Sequence, residues 1–187
     1  MTSDPAPHSG SMPVRARALW IVLAINAAFF VLETLAGNFS GSLALRADAL
    51  DFLADSFVYA AALSLIRHPA IERGCGIILS LLAGWILVRA ELAAAHGMPL
   101  PDARIMAGMA LAAMAANAAS LHFLRGAHAG QAVWRASRDD FYGNALVLVA
   151  ALAILIAGAA WADPAAAGVM AAVFLARAVR LVFPGNA

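Results

Sequence analysis

Apolar residues run along this chain in stretches of about twenty, separated by short clusters of Gly, Pro, Asn and Arg. Each stretch is close to the ~20 residues that a helix needs to cross ~30 Å of hydrocarbon. The pattern predicts six spans, at roughly 18–37, 42–66, 74–95, 103–124, 139–161 and 164–183. The breaks fall at Gly37-Asn38 and Gly41-Ser42, Arg67-His68-Pro69, Gly97 to Pro101, Arg125-Gly126 and Asp163-Pro164. Each holds residues that end helices or turn the chain.

Polar positions are shared unequally among the spans. The first carries Asn26 and Glu33, seven apart and so nearly on one face. The second carries Asp48, Asp51, Asp55 and Ser56. The fourth has Asn117 and Ser120, and the fifth opens with Asp139, Asp140 and Asn144. The third has only Ser80 centrally, and the sixth has no polar residue in its middle. Spans 1, 2, 4 and 5 are therefore expected to form an inner bundle, with 3 and 6 as packing helices.

Composition agrees with this reading. The 187 residues are 64% hydrophobic, with a mean hydropathy of +0.83. That is an integral membrane composition. The formal net charge of +1 and the absence of a basic run give no sign of a nucleic-acid partner. A single Cys75 excludes an internal disulfide and a multi-Cys metal site. Residues 1–14 are polar and Pro/Ser-rich and read as a disordered cytoplasmic leader; residues 15–187 read as one six-helix transmembrane domain. The first apolar stretch is too long for a signal peptide and carries Asn26 and Glu33, so it reads as a retained span. With the N-terminus inside, nine arginines fall on the cytoplasmic side and Arg46, Arg89 and Arg104 outside, which favours an N-in, C-in topology.

Asp48, Asp51 and Asp55 make a carboxylate stripe on roughly one face of a helix. Acids inside membrane spans are rare and serve ion or proton paths. Such a stripe must hold a cation, hold protons or face water. Asp51 lies roughly 13 Å into its span at ~1.5 Å per residue, near the midplane. Asp51 and Asp55, one turn apart, suit a divalent cation; the alternative is a protonated pair capped by hydroxyls or amides. Asp140 and Asn144 repeat the i, i+4 spacing, and their oxygens complete a candidate four-ligand set. The alternative there is a solvated helix start, with Asp139 and Asp140 paired to Arg135 and Arg138.

The stretch ETLAGNFSGSLALRADALDFLADS, from Glu33 to Ser56, resembles the span 1–2 signature of the cation diffusion facilitator transporters. In that family a G-x-x-S-x-S-L-A-L-type sequence leads into a D-A-x-[H/D]-x-x-x-D metal motif. Asp140-x-x-x-Asn144 falls where the family carries its span 5 motif, and SRDDFYGNALVLVAAL is close to a short branch without the soluble domain. The resemblance implies a cation-efflux-type bundle and a tetrahedral site for a divalent metal at Asp51, Asp55, Asp140 and Asn144. It also implies metal/proton antiport out of the cytoplasm, a homodimer, and a bacterial inner membrane location. The chain departs from the family in having Asn144 for the usual Asp, no His at the four positions, and no room for a C-terminal cytoplasmic domain.

No bound cofactor is expected, only a transported cation. Oxygen ligands favour Mn²⁺ or Fe²⁺, with Co²⁺ or Zn²⁺ as the other candidates. Two other classes compete: a non-transporting or regulatory membrane paralogue, and a metal-dependent intramembrane enzyme. The enzyme reading lacks a nucleophile–base pair and the DG-x-x-A-R run of head-group transferases. Elsewhere, Asp48 is expected to pair with Arg46 or Arg89, Glu33 and Asn26 to brace the bundle, and Asn117 to hydrogen-bond between helices. Gly108, Ala112 and Ala116 suggest a close helix contact. The scattered histidines have no ligand spacing, with His68 and His128 at most an entry point for metal.

Overall fold

A computed structural model describes residues 11–63, 68–126 and 131–182. Those residues form six helices: α1 (Ser11–Ser40), α2 (Leu43–Ala62), α3 (Pro69–His96), α4 (Ala103–Gly126), α5 (Gln131–Ala157) and α6 (Ala162–Val182). There is no strand among them. Five of the helices, all except α2, are long and apolar enough to cross a membrane. In α2, Arg46, Asp48, Asp51 and Asp55 break the apolar run. The shortest helix, and the one with its charges most densely placed, is also the one enclosed by the others, since ten of its residues, Asp48 among them, are buried.

The chain is an integral membrane bundle turned outward in composition. Leu81, Trp85, Ile156 and Trp161 are exposed, as a lipid-facing surface requires. The interior is built from small side chains: Ala44, Ala47, Ala83, Ala110, Ala113, Ala151, Ala167 and Ala171 are all buried. Alanines at helix contacts let backbones approach closely, which is how helices associate where no hydrophobic effect drives them together. The most extensive pairings are α3 with α6, α1 with α2, and α4 with α5. Helix α2 also touches α3, α4, α5 and α6, and α6 touches α5.

Three expectations change. Helix α6 is more than a packing helix, because it touches both α2 and α5. The fifth break lies earlier than Asp163-Pro164. Helix α5 stops at Ala157, where Gly158 takes a positive φ of 63° that a side chain rarely adopts. Asp163 and Pro164 instead sit in the first turn of α6, where a missing proline N–H costs nothing. Finally, α1 starts at Ser11, so residues 11–14 belong to the helix; residues 1–10 of the expected leader lie outside the described residues.

The start of α2 is held by another helix. Asp163 of α6 is fully buried. It accepts from the Ser42 hydroxyl at 2.5 Å and from the backbone N–H groups of Leu43 and Ala44 at 2.8 and 3.2 Å. Ser42 Oγ accepts from the N–H of Leu45 at 3.1 Å as the N-cap. A helix N-terminus leaves donors without intrahelical partners and carries partial positive charge. The Asp163 carboxylate answers both needs. It also sets the level of α2 against α6, so these two helices start side by side.

Candidate metal-transport site

Asp51 and Asp140 border two adjoining pockets inside the bundle. The first is lined by Asn26, Asp48, Asp51, Phe52, Asn117, Asp140 and Asn144. The second, of about 130 Å³, is lined by Asp51, Ala54, Asp55, Leu79, Asp140 and Phe174 and by Arg177 and Ala178 of α6. That volume holds several waters, each taking about 30 Å³ in the liquid. All four residues of the sequence-predicted set therefore line one or both of two pockets that share Asp51 and Asp140. Asp55 lies within electrostatic reach of Asp140 across the α2–α5 contact. Among the described residues, no three carboxylate, imidazole or thiolate groups converge on one point as the side chains stand.

The local geometry of α5 follows from its residues. Asp140 lies nine residues past Gln131, well inside the helix, so it is not the solvated helix start. The side chains of Arg135, Arg138 and Asp139 lie outside the described residues. Asn144 is buried and donates Nδ2 to the backbone carbonyl of Asp140 at 2.9 Å. Its Oδ1 is left buried without a hydrogen-bond partner. An amide oxygen in that state is an acceptor waiting for a donor or a cation.

Gly143 sets the distance between α2 and α5. A Cβ added there would stand 3.0 Å from Asp48 Oδ1 and 3.4 Å from Asp51 Oδ2. Any larger residue would push the carboxylates away from α5. Tyr59, one turn past Asp55, donates its hydroxyl to Asp55 Oδ2 at 3.4 Å. Neither residue was singled out from the sequence. The i, i+4 spacing of Asp55 and Tyr59 was a visible signal for one; the glycine one residue before Asn144 was a signal for the other.

Behind Asp51 lies a second acidic layer. Glu33 and Asp48 are 0% and 1% exposed; their carboxyl groups face each other across the α1–α2 contact at hydrogen-bonding range, and no hydroxyl, amide or backbone N–H reaches any of their four oxygens. Glu33 lies within electrostatic reach of Asp48 and Asp51. Asp48 thus makes no pair with Arg46, whose guanidinium instead donates to the Gly37 carbonyl at 3.4 Å. Arg89 is exposed on α3. Asn26 donates to the Val22 carbonyl of its own helix at 2.8 Å and lines the first pocket with residues of α2, α4 and α5. Asn117 Nδ2 and Ser120 Oγ are buried without partners, so Asn117 does not supply the expected interhelical bond through that nitrogen. Gly108 and Ala112 are exposed, and among the described residues nothing lies within 4 Å of a Cβ added at Gly108, while Ala116 is buried. His68 caps α3 through the N–H of Ala70; His128 lies outside the described residues.

The largest omission of the sequence reading is Arg177. It was counted among the cytoplasmic arginines, yet it lines the second pocket beside three acids. It also lines a third cavity, of about 240 Å³, with Asp51, Tyr142, Gly143, Met170 and Phe174. Its guanidinium acts electrostatically on Asp55 and Asp140.

Comparison with curated proteins gives no match. Comparison with protein families matches residues 75–185, more than half of the chain, to the cation efflux transmembrane domain. The matched segment runs from α3 through α6 and contains Asp140, Asn144 and Arg177, while Asp51 and Asp55 precede it. An all-helical membrane bundle with acids gathered around an internal polar pocket and this match lead to one statement of kinship: the chain belongs to the cation efflux family.

Proposed function

We propose that the protein exports a divalent metal cation from the cytoplasm in exchange for protons. The family consists of cation transporters and not of enzymes. The observation that carries the finer reading is the pocket shared by Asp51, Asp55 and Asp140, with the unpartnered Oδ1 of Asn144 beside it. In this reading Asp51, Asp55, Asp140 and Asn144 are the ligands of the transported ion. Three carboxylates neutralise a divalent cation with charge to spare, and the amide oxygen adds a fourth donor without adding charge. Protons leave the acids as the ion enters and return as it departs. This exchange needs no titrating group at position 144.

All-oxygen ligands favour Mn²⁺ or Fe²⁺ over Zn²⁺, with Co²⁺ between them. The arginine bias supports an N-in, C-in orientation and, with the family, a bacterial inner membrane location. We assign the active unit as a homodimer, an assignment that rests on analogy with the family.

A second reading draws on a specific observation. The acids do not converge as the side chains stand, which suits a non-transporting paralogue. Metal uptake into proteoliposomes separates the two. Under the transport reading, Mn²⁺ or Fe²⁺ accumulates against a proton gradient and stops when the gradient is collapsed. Absence of flux for Mn²⁺, Fe²⁺, Co²⁺ and Zn²⁺ in vesicles with inserted protein sinks it.

A further inference from the structure

Arg177 stands where a permanent cation is least expected. It belongs to the apolar segment Ala162–Val179 of α6. Arginine inside a span is costly unless it finds a partner or reaches water. Its level follows from the shared start of α2 and α6 at the Asp163 cap. At ~1.5 Å per residue, Arg177 lies about 22 Å past Ala162 and Asp55 about 18 Å past Leu43. Side chains on a helix lean toward its N-terminus. The Arg177 side chain therefore leans back to the level of Asp55, not onward to the nearer membrane surface. Its place on the walls of two of the three cavities that Asp51 lines agrees with this.

We propose that Arg177 is a tethered substitute for the transported ion: its guanidinium holds the acid cluster when no metal is present and withdraws as metal enters. The inference rests on the four-residue site proposed above. Arginine stays charged at any working pH, so the compensation cannot be lost by deprotonation. A divalent ion among Asp51, Asp55 and Asp140 repels a guanidinium on the same wall. Arg177 is exposed although it lines these cavities, and its flexible stem lets the head move toward the cytoplasmic interface. Two consequences follow. Metal competes with a built-in cation, which lowers affinity and speeds release. The metal-free carrier then needs about two protons instead of three to cancel the charge of its three aspartates in a low-dielectric bundle as it returns. The lack of a ready-made cage among the described residues fits a resting state held by arginine.

The test uses the full chain in nanodiscs, titrated with Mn²⁺ alone, and the same variants in proteoliposomes. Asp51→Ala serves as the control for the site. Arg177→Gln is expected to bind Mn²⁺ about tenfold more tightly, a shift of ~1.4 kcal/mol, and to turn over more slowly because release is impeded. Arg177→Lys keeps the charge and is expected to stay within about threefold of wild type in affinity. If Asp51→Ala abolishes binding but Arg177→Gln binds no more tightly than wild type, the substitute-ion role is overturned while the site stands. If Asp51→Ala binds Mn²⁺ normally, the site itself fails, and the inference with it. Should Arg177→Gln fail to insert, Arg177→Lys decides: wild-type affinity supports the charge role, and loss of binding points to a structural guanidinium and overturns it.

Discussion

Asp163 and Asp48 are both buried carboxylates, 0% and 1% exposed, and both meet α2, but their surroundings differ in kind. Asp163 accepts one hydroxyl and two backbone N–H groups. Asp48 accepts from no hydroxyl or N–H and faces only another acid, Glu33, and Asn144 Oδ1 close by accepts nothing. A buried polar atom left without a partner costs about 1–3 kcal/mol or more, so a fold does not keep several together without a use for them. The satisfied acid is architecture. The unsatisfied acids mark the region where something else must bind, at least some of the time.

The comparison is broken most severely if the two groups of acids respond alike to removal. Asp51→Ala and Asp55→Ala are expected to lower metal flux by at least ~100-fold while the protein still inserts and folds, because each removes a ligand of the transported ion. Radiolabelled or dye-reported uptake, together with thermal unfolding in detergent, reads both properties. Wild-type flux in either variant contradicts the ligand assignment. Asp163→Ala is expected to do the reverse. It strips three donors of their acceptor and lowers stability by about 2–4 kcal/mol. Whatever protein survives should keep the metal ranking of wild type. A changed ranking would mean that Asp163 belongs to the site.

Smaller effects sharpen the contrast within the site. Asp140→His should move preference toward Zn²⁺ over Mn²⁺ by about tenfold, since imidazole suits zinc better than hard oxygen donors do. Competition among the four ions in liposomes measures it, and an unchanged order counts against Asp140 as a ligand. Asn144→Asp should preserve transport and add up to about one proton released per metal bound, because the entering ion displaces a proton from one more carboxylate. Proton release on Mn²⁺ addition in weakly buffered solution reads this directly. Identical release from the two proteins would place position 144 outside the ligand set.

Much of this arrangement was legible in the chain because one-dimensional signals sufficed for it. Span length and i, i+4 spacing are local, so the six helices and the paired Asp51–Asp55 and Asp140–Asn144 positions could be read directly. What failed was relational. Asp163 looked like loop punctuation because aspartate before proline is a turn signal; its partners Ser42, Leu43 and Ala44 are about 120 residues away in sequence. Arg177 looked like a topology marker because charge bias is counted by side of the membrane and ignores where a long side chain leans. Asp48 is matched to Arg46, its neighbour in sequence, and to Arg89 by membrane depth, whereas helix packing turns it toward Gly143 and Glu33. Gly143 carries no chemistry of its own and becomes visible only when two helices are brought together.

The Asp163 clamp also acts as a hinge pin. Because it ties α2 to α6 where both helices start, a tilt between the two turns about that end. A rotation of about 5° there moves a point ~12 Å away, the level of Asp51, by only about 1 Å, but the level of Arg177, ~22 Å away, by about 2 Å. The far end therefore opens like a pair of tweezers while the pinned end stays shut. A small motion of α6 can lift its arginine off the acids without disturbing the fold that holds them.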